Sequence, residues 1–332
     1  AHSQETFSTN DVLDSLKNSF TRAYVLRFIN NLVREGKLVK SGTTRAAVYV
    51  LTEKRGVLKS EFRKRYKNNN LKEHEVLEEV NKKLNFLHQL PEHIQSIFSY
   101  AFSEMLNNAI DHSKSENIAI YVKKIDKGIR FIVDDFGIGV FKNIMNKRKL
   151  NSSLEAIQDL LKGKITTMPR AHSGEGIFFT SKVSDVFVLE SYDCQLKIDN
   201  IVEDVFVNDL KPSKSGTRVI FEISLEHSGY LDDVFKQYYT DPEDLAFDKT
   251  EIKIKLYTKE SIYVSRSQAK RVLAGLEKFR TIVLDFDQVS GVGQAFADEI
   301  FRVFQSKYPE IKIIPENMIE AVKFMIERVE KP

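Results

Sequence analysis

Apolar and polar positions follow different rhythms along the chain, and each change of rhythm marks a change of structure. Between residues 21 and 34, Tyr24, Val25, Phe28, Ile29, Leu32 and Val33 recur at i, i+1, i+4, i+5, i+8 and i+9. That spacing predicts a helix with all six side chains on one buried stripe and Gly36 as its stop. A shorter helix is expected from residue 9. Residues 37–40 and 45–51, separated by Ser41 and Gly42, alternate as the two strands of a hairpin. Residues 1–58 then make one unit, and the basic, asparagine-rich stretch EFRKRYKNNN within residues 59–75 reads as a solvated linker.

The next 150 residues or so combine helical and alternating patterns. Val76, Leu77, Val80, Leu84 and Leu87 share a helical face, and Pro91 opens a second helix through Ile94, Ile97, Phe98, Ala101, Met105 and Leu106. Ile118, Ile120 and Val122 alternate, the chain turns at residues 126–128, and Ile129, Phe131 and Val133 alternate back. Further strands are expected over residues 183–191, 195–199, 205–208 and 217–223, with a helix over 152–161. Helices beside a mostly antiparallel sheet predict a two-layer α/β sandwich over residues 76–228. After a linker at 229–247, strands at 252–256, 261–264, 281–286 and 311–314 interleave with helices at 267–278, 296–306 and 319–329. That interleaving predicts a small α/β domain over 248–332, so the whole chain is expected to be an α+β and α/β multi-domain protein.

Length and charge refine this division. A chain of 332 residues exceeds one ordinary domain of about 100–200 residues. The net charge of +3 is unevenly spread: residues 1–67 hold 14 Lys and Arg against 6 Asp and Glu, whereas the other 265 residues hold 36 against 41. A basic head on a mildly acidic body matches an electrostatic contact with phosphates. Cys194 is the single cysteine, so neither an intrachain disulfide nor a thiolate metal site can form, and a reducing, cytoplasmic setting is expected. No run of about 18 apolar residues occurs and the first residues lack an apolar signal core, so no membrane association is expected.

Candidate chemistry lies in four separated pieces. In SEMLNNAIDH, Glu104, Asn108 and Asp111 stand at i, i+4 and i+7 and line one helical stripe. Such a stripe can hold Mg²⁺ through an amide oxygen while a carboxylate takes a proton from water. Next, DDFGIG places Asp135, Gly137 and Gly139 just after a strand, where a buried carboxylate can accept from an exocyclic amine. The third piece, HSGEGIFF, sets Ser173, Gly174 and Gly176 before a helix start, whose exposed N–H groups suit phosphate oxygens. Thr217 in SGTRV begins a strand and completes the set. No P-loop lysine motif occurs.

ExxxN, DxGxG, GxG and GT in this order resemble the Bergerat-fold, or GHKL, ATPases, the family of type II topoisomerases, ninety-kilodalton heat-shock chaperones, mismatch-repair ATPases and histidine kinases. The resemblance implies ATP and Mg²⁺ as ligands. It implies Glu104 as the residue orienting the attacking water, Asn108 as the Mg²⁺ ligand, and Asp111 as a second acid near the nucleotide. Asp135 would recognise the adenine amine, Gly137 and Gly139 would make room for the base, Gly174 and Gly176 would cradle phosphates beside Ser173, and Thr217 would support the adenine side. Residues 140–173 would be a mobile lid, where Lys162 and Lys164 either pair with phosphates or are surface charges.

The flanks carry two more resemblances. Helix, turn, longer helix and hairpin at the N-terminus resemble a winged helix-turn-helix. It would present Arg22, Arg27, Asn30, Asn31 and Arg34 to a DNA major groove, with Lys40 and Arg45 on the wing touching phosphates; protein contacts are the other use of such a unit. TIVLDFDQV followed by SGVGQAFADEI resembles a STAS-like module, with Gln294 and Ala295 where a phosphorylatable serine would stand, which implies an interaction or dimerisation platform. The function expected is a slow Mg²⁺-dependent ATPase whose nucleotide state controls the two ends. The alternatives are an anti-sigma-type serine/threonine kinase acting on a separate partner and a non-enzymatic, ATP-dependent DNA-binding scaffold. A histidine kinase is disfavoured, because the helix following His74 already carries Glu104 and Asn108.

Overall fold

The computed structural model describes residues 7–17, 19–41, 47–52, 60–164, 175–241, 246–257 and 262–330 and resolves three hydrophobic cores. The first belongs to β1 (Phe7–Ser8), α1 (Thr9–Ser15), α2 (Arg22–Arg34), β2 (Leu38–Ser41) and β3 (Val48–Leu51), whose strands pair antiparallel in the order β1-β3-β2. Ser8 and Asp11 form a reciprocal capping box at the start of α1, and Thr21 accepts the Tyr24 N–H at 3.3 Å to start α2. Val25, Ile29, Leu38, Ala47 and Tyr49 make the core.

The expected stripe on α2 splits. Val25 and Ile29 are buried, whereas Tyr24 and Phe28 stand 54% and 61% exposed. At 3.6 residues per turn the six apolar positions span about half the helix circumference. A seven-residue α1 and three short strands cover only one side of it, that of Val25, Ile29, Leu32 and Val33.

The central unit contains β4 (Glu61–Lys67), α3 (Glu73–Lys83), α4 (Glu92–His112), β5 (Asn117–Ile125), β6 (Gly128–Asp135), α5 (Val140–Arg148), α6 (Ser153–Leu161), α7 (Gly176–Val183), β7 (Val186–Asp199) and β8 (Asp204–Ser224). Its five strands run antiparallel in the order β4-β5-β6-β8-β7. β4 corrects the sequence reading of a linker, since residues 61–67 pair with β5 in a register that sets Phe62 opposite Val122. Phe62 and Tyr66 turn to the helical side and Arg63, Arg65 and Lys67 to the other, so a strand's alternation was hidden beneath a basic composition. The core lies between the sheet and α4. Phe131 of β6 stacks on Phe221 at 4.7 Å and meets Phe98 and Phe102 edge-on at 5.8 and 5.5 Å. Burying each such ring contributes about 1.5–3 kcal/mol.

The C-terminal unit comprises β9 (Lys249–Lys253), β10 (Ile262–Tyr263), α9 (Arg266–Leu273), β11 (Thr281–Asp285), β12 (Gly291–Val292), α10 (Gln294–Ala297), α11 (Gln305–Lys307), β13 (Lys312–Glu316) and α12 (Glu320–Glu330). A π-helical stretch, Asp298–Phe304, joins α10 to α11. The parallel sheet order β13-β11-β9 places the fully buried TIVLD strand in the middle, as its unbroken apolar run demands.

The second expected linker holds a helix, α8 (Leu231–Gln237), which precedes β9 and whose Phe235 packs on Tyr100 and Phe179 at 5.5 and 4.5 Å. Phe178 and Phe179 of α7 sit in the C-terminal core with Tyr238 and Phe247. The central and C-terminal units therefore share a seam. No described helix is long and apolar enough to cross a membrane.

Candidate functional site

The end of β6, the later part of β8 and the C-terminal end of α4 meet at one point; Thr217, expected to begin a strand, lies inside β8, which already starts at Asp204 and runs on from there. Asp135, the last residue of β6, is 4% exposed; its Oδ1 accepts the Gly137 N–H at 2.9 Å and the Thr217 N–H at 3.1 Å. Burial raises its carboxyl above the ordinary aspartate range, opposed by those two N–H groups and the nearby Lys214 ammonium. Lys214 Nζ donates to the Asp135 carbonyl at 2.6 Å and lies 2.9 Å from Asp134 Oδ1. Thr217 Oγ1 accepts the Val140 N–H at 2.9 Å, which ties β8 to the first turn of α5.

Serines that the sequence reading passed over hold this point together. Ser113, just past α4, accepts the Ile138 N–H on its carbonyl at 2.8 Å and donates its hydroxyl to the Ala109 carbonyl at 2.5 Å. Ser115 Oγ accepts the Phe136 N–H at 3.0 Å. Ser191 donates to the Gly216 carbonyl at 2.8 Å. The one signal for them was a pair of serines between a helix and a strand, a common turn composition.

The DxGxG glycines allow close packing. A Cβ on Gly137 would lie 1.8 Å from the Ser113 carbonyl oxygen, and one on Gly139, at φ +77°, 2.5 Å from Ser191 Oγ. Protein atoms thus stand where a side chain at either position would begin. Gly216, also at φ +77°, lets β8 approach so closely that a Cβ there would meet the Asp135 carbonyl oxygen at 2.4 Å.

Glu104 and Asn108 occupy successive turns of α4. Glu104 lies against the start of α7, where a Cβ on Gly176 would fall 2.0 Å from Oε2. The first and third sequence pieces therefore adjoin. Tyr100, a turn earlier, has its phenol pushed above the usual tyrosine range by burial first and then by the charges of Glu104 and Glu175. Asn108 Nδ2 is buried and has no hydrogen-bond partner among the described residues. Asp111, at the end of the stripe, is exposed. Ser173 and Gly174 lie outside the described residues, as does Arg45.

The segment expected as a lid is partly built into the cores. Phe141, Ile144, Ala156, Ile157 and Leu160 of α5 and α6 pack in the central core. Lys162 is 3% exposed, and its ammonium donates to the Arg271 and Ala274 carbonyls at 3.1 and 2.8 Å, closing the C-terminal end of α9. Burial lowers its pKa from 10.5 to about 8. Lys164 Nζ lies over the Phe247 and Phe279 rings. Both lysines thus lie against the C-terminal unit, and buried Lys162 is no open-surface charge. Gln158 Nε2 and Thr250 Oγ1 add cross-seam bonds to the Leu256 and Lys162 carbonyls at 2.6 and 2.7 Å.

On the N-terminal unit, Arg22, Arg27, Asn30, Asn31, Arg34 and Lys40 are all exposed, and Arg22 donates to Asn10 Oδ1. Among the described residues no group of three or more His, Cys, Asp and Glu side chains is placed to hold a metal ion.

Comparison with known proteins bears on the C-terminal unit. No curated protein matches the chain. Residues 268–323 match the family model described as "STAS-like domain of unknown function (DUF4325)", which makes the C-terminal unit of this chain a STAS-like domain.

Proposed function

We propose that the central unit binds ATP with Mg²⁺ and hydrolyses it slowly, as a GHKL-type ATPase, and that its nucleotide state governs a winged-helix-like, DNA-binding head and a protein-binding STAS-like end. The observation that carries this reading is a pair of polar groups buried near the joint of α4, β6 and β8, which suit the two ends of a nucleotide. Asp135 is held by Gly137, Thr217 and Lys214, while the Nδ2 of half-buried Asn108 is buried with no hydrogen-bond partner among the described residues, on the helix that leads into the same joint. A buried N–H without a partner costs about 1–3 kcal/mol, which an acceptor on a bound ligand, such as a phosphate oxygen, would recover.

Each residue then has a chemical task. Asp135 accepts from the exocyclic amine of the base and so selects adenine over guanine. Asn108 offers its amide oxygen to Mg²⁺, which supplies charge neutralisation for the phosphates. Glu104 orients a water and takes its proton as the water oxygen bonds to the terminal phosphorus and the bridging oxygen departs with ADP. Gly176 keeps the start of α7 clear of the Glu104 carboxylate. Support for coupling comes from the seam, because Lys162 before the phosphate-loop segment and Phe178 after it are both anchored in the C-terminal unit.

Calorimetric ATP titration alongside phosphate release tests the reading. Asp135→Asn and Asn108→Ala should each weaken ATP binding at least about tenfold, the loss of one charge-assisted contact. Glu104→Ala should keep binding and lose release. Unchanged affinity in folded Asp135→Asn and Asn108→Ala proteins would remove the pocket, and label moving from ATP to a protein substrate would replace hydrolysis by the kinase alternative.

A further inference from the structure

One shoulder of α2 stands open and aromatic. Phe20, Tyr24 and Phe28 are 46%, 54% and 61% exposed. The Phe20 and Tyr24 rings stack with centroids 5.2 Å apart and planes within 15°, and Phe28 follows one turn on, about 6 Å along the axis. Rings exposed in series are costly to hydrate, and such patches mark surfaces that are covered in use.

The adjoining stripe of the same helix says what covers them. Arg27, Asn31 and Arg34 project beside the rings, all exposed, and among the described residues no carboxylate pairs with Arg27, Arg34 or Lys40. A second copy docking here would bring the same cations against these, and like charges oppose that pairing. Nucleic acid meets both stripes, with phosphates for the guanidinium groups and flat bases for the rings. A perfect duplex keeps its base faces stacked inside and shows only edges in the groove.

We propose that this shoulder binds nucleic acid containing unpaired bases, which stack on Tyr24 and Phe28 while Arg27 and Arg34 hold the flanking phosphates. The proposal rests on the reading of the N-terminal unit as nucleic-acid-binding and specifies which form it takes.

Fluorescence anisotropy of the full chain with labelled oligothymidine, a perfect duplex and a duplex carrying an internal unpaired stretch decides it. The two substrates with unpaired bases should bind at least about tenfold tighter than the perfect duplex, the value of one base–ring stack. Tyr24→Leu combined with Phe28→Leu keeps apolar area but removes the ring faces; it should abolish that preference and leave duplex affinity unchanged, whereas Tyr24→Phe should retain it. Arg27→Ala combined with Arg34→Ala should weaken all three substrates and flatten their salt dependence. Equal or tighter binding of the perfect duplex, or a preference that survives the leucine pair, overturns the proposal while leaving a duplex-binding head intact. Binding to no nucleic acid overturns both. A dimer that sedimentation detects and the leucine pair dissolves assigns the rings to a second copy and also overturns it.

Discussion

The two ends of this chain are attached to its centre in opposite ways. The C-terminal unit shares side chains with the centre: α7 belongs to the central fold, yet its Phe178 and Phe179 complete the C-terminal core, and Lys162 closes a helix of the other unit. The N-terminal unit has a core of its own, built from Val25, Ile29, Leu38, Ala47 and Tyr49, and among the described residues no side chain of the centre belongs to it. Where cores interpenetrate, two units unfold together and transmit strain. Where a small core stands by itself, the unit opens alone and keeps its surface for a ligand.

The strongest way to break this contrast is Phe178→Ala. Loss of a buried phenylalanine costs about 3–5 kcal/mol, and in urea the central and C-terminal units should still unfold in one transition at a lower midpoint. Two separated transitions would show that the seam does not couple them. Lys162→Ala should cost about 1–2 kcal/mol, since it strips the two carbonyls at the end of α9 of their donor, with hydrogen exchange rising in α9 and α6 together.

The same lysine gives the seam a pH signature. Burial depresses its folded pKa to about 8 from 10.5, so the unfolded chain binds the proton more tightly between those values. Its contribution therefore grows more favourable as pH rises from about 8 towards 10.5 and is at its worst, and constant, below that window. The wild-type urea midpoint measured relative to Lys162→Met should climb over this range; a flat difference would place the ammonium in water.

Smaller effects sharpen the other side. Ile29→Val should cost about 0.5–1.5 kcal/mol and raise hydrogen exchange only within residues 7–52. Tyr24→Ala, at an exposed position, should change stability by no more than about 0.5 kcal/mol. A large loss there would mean that the ring is buried by something in solution.

Much of the candidate site was legible because its residues sit at fixed offsets on regular elements. Glu104 and Asn108 share a helical stripe by spacing alone, and Asp135 ends a strand whose alternation is unbroken from Ile129. Lys214, Ser113 and Ser191 were not legible, since they act by lying beside Asp135 and Gly216 from distant parts of the chain. Gly137 and Gly139 were legible as glycines but not as what they accommodate, because a bare Cα next to a ligand and a bare Cα next to a serine look alike in one dimension. β4 was missed for a related reason: on this edge strand only Phe62 and Tyr66 turn inward as apolar residues, Lys64 between them is exposed, and the opposite face carries Arg63, Arg65 and Lys67.

By itself the sequence determined the local periods, and with them α4, the β5–β6 hairpin and the buried β11, because hydrophobic spacing and turn residues act over a few positions at a time. Tertiary structure alone decided how much of each apolar stripe is covered and by what. It left Tyr24 and Phe28 in the open, drew Phe178 and Lys162 into a neighbouring unit, and packed protein atoms against Gly137. Burial depends on surfaces that arrive from elsewhere in the chain, and no local pattern encodes their arrival.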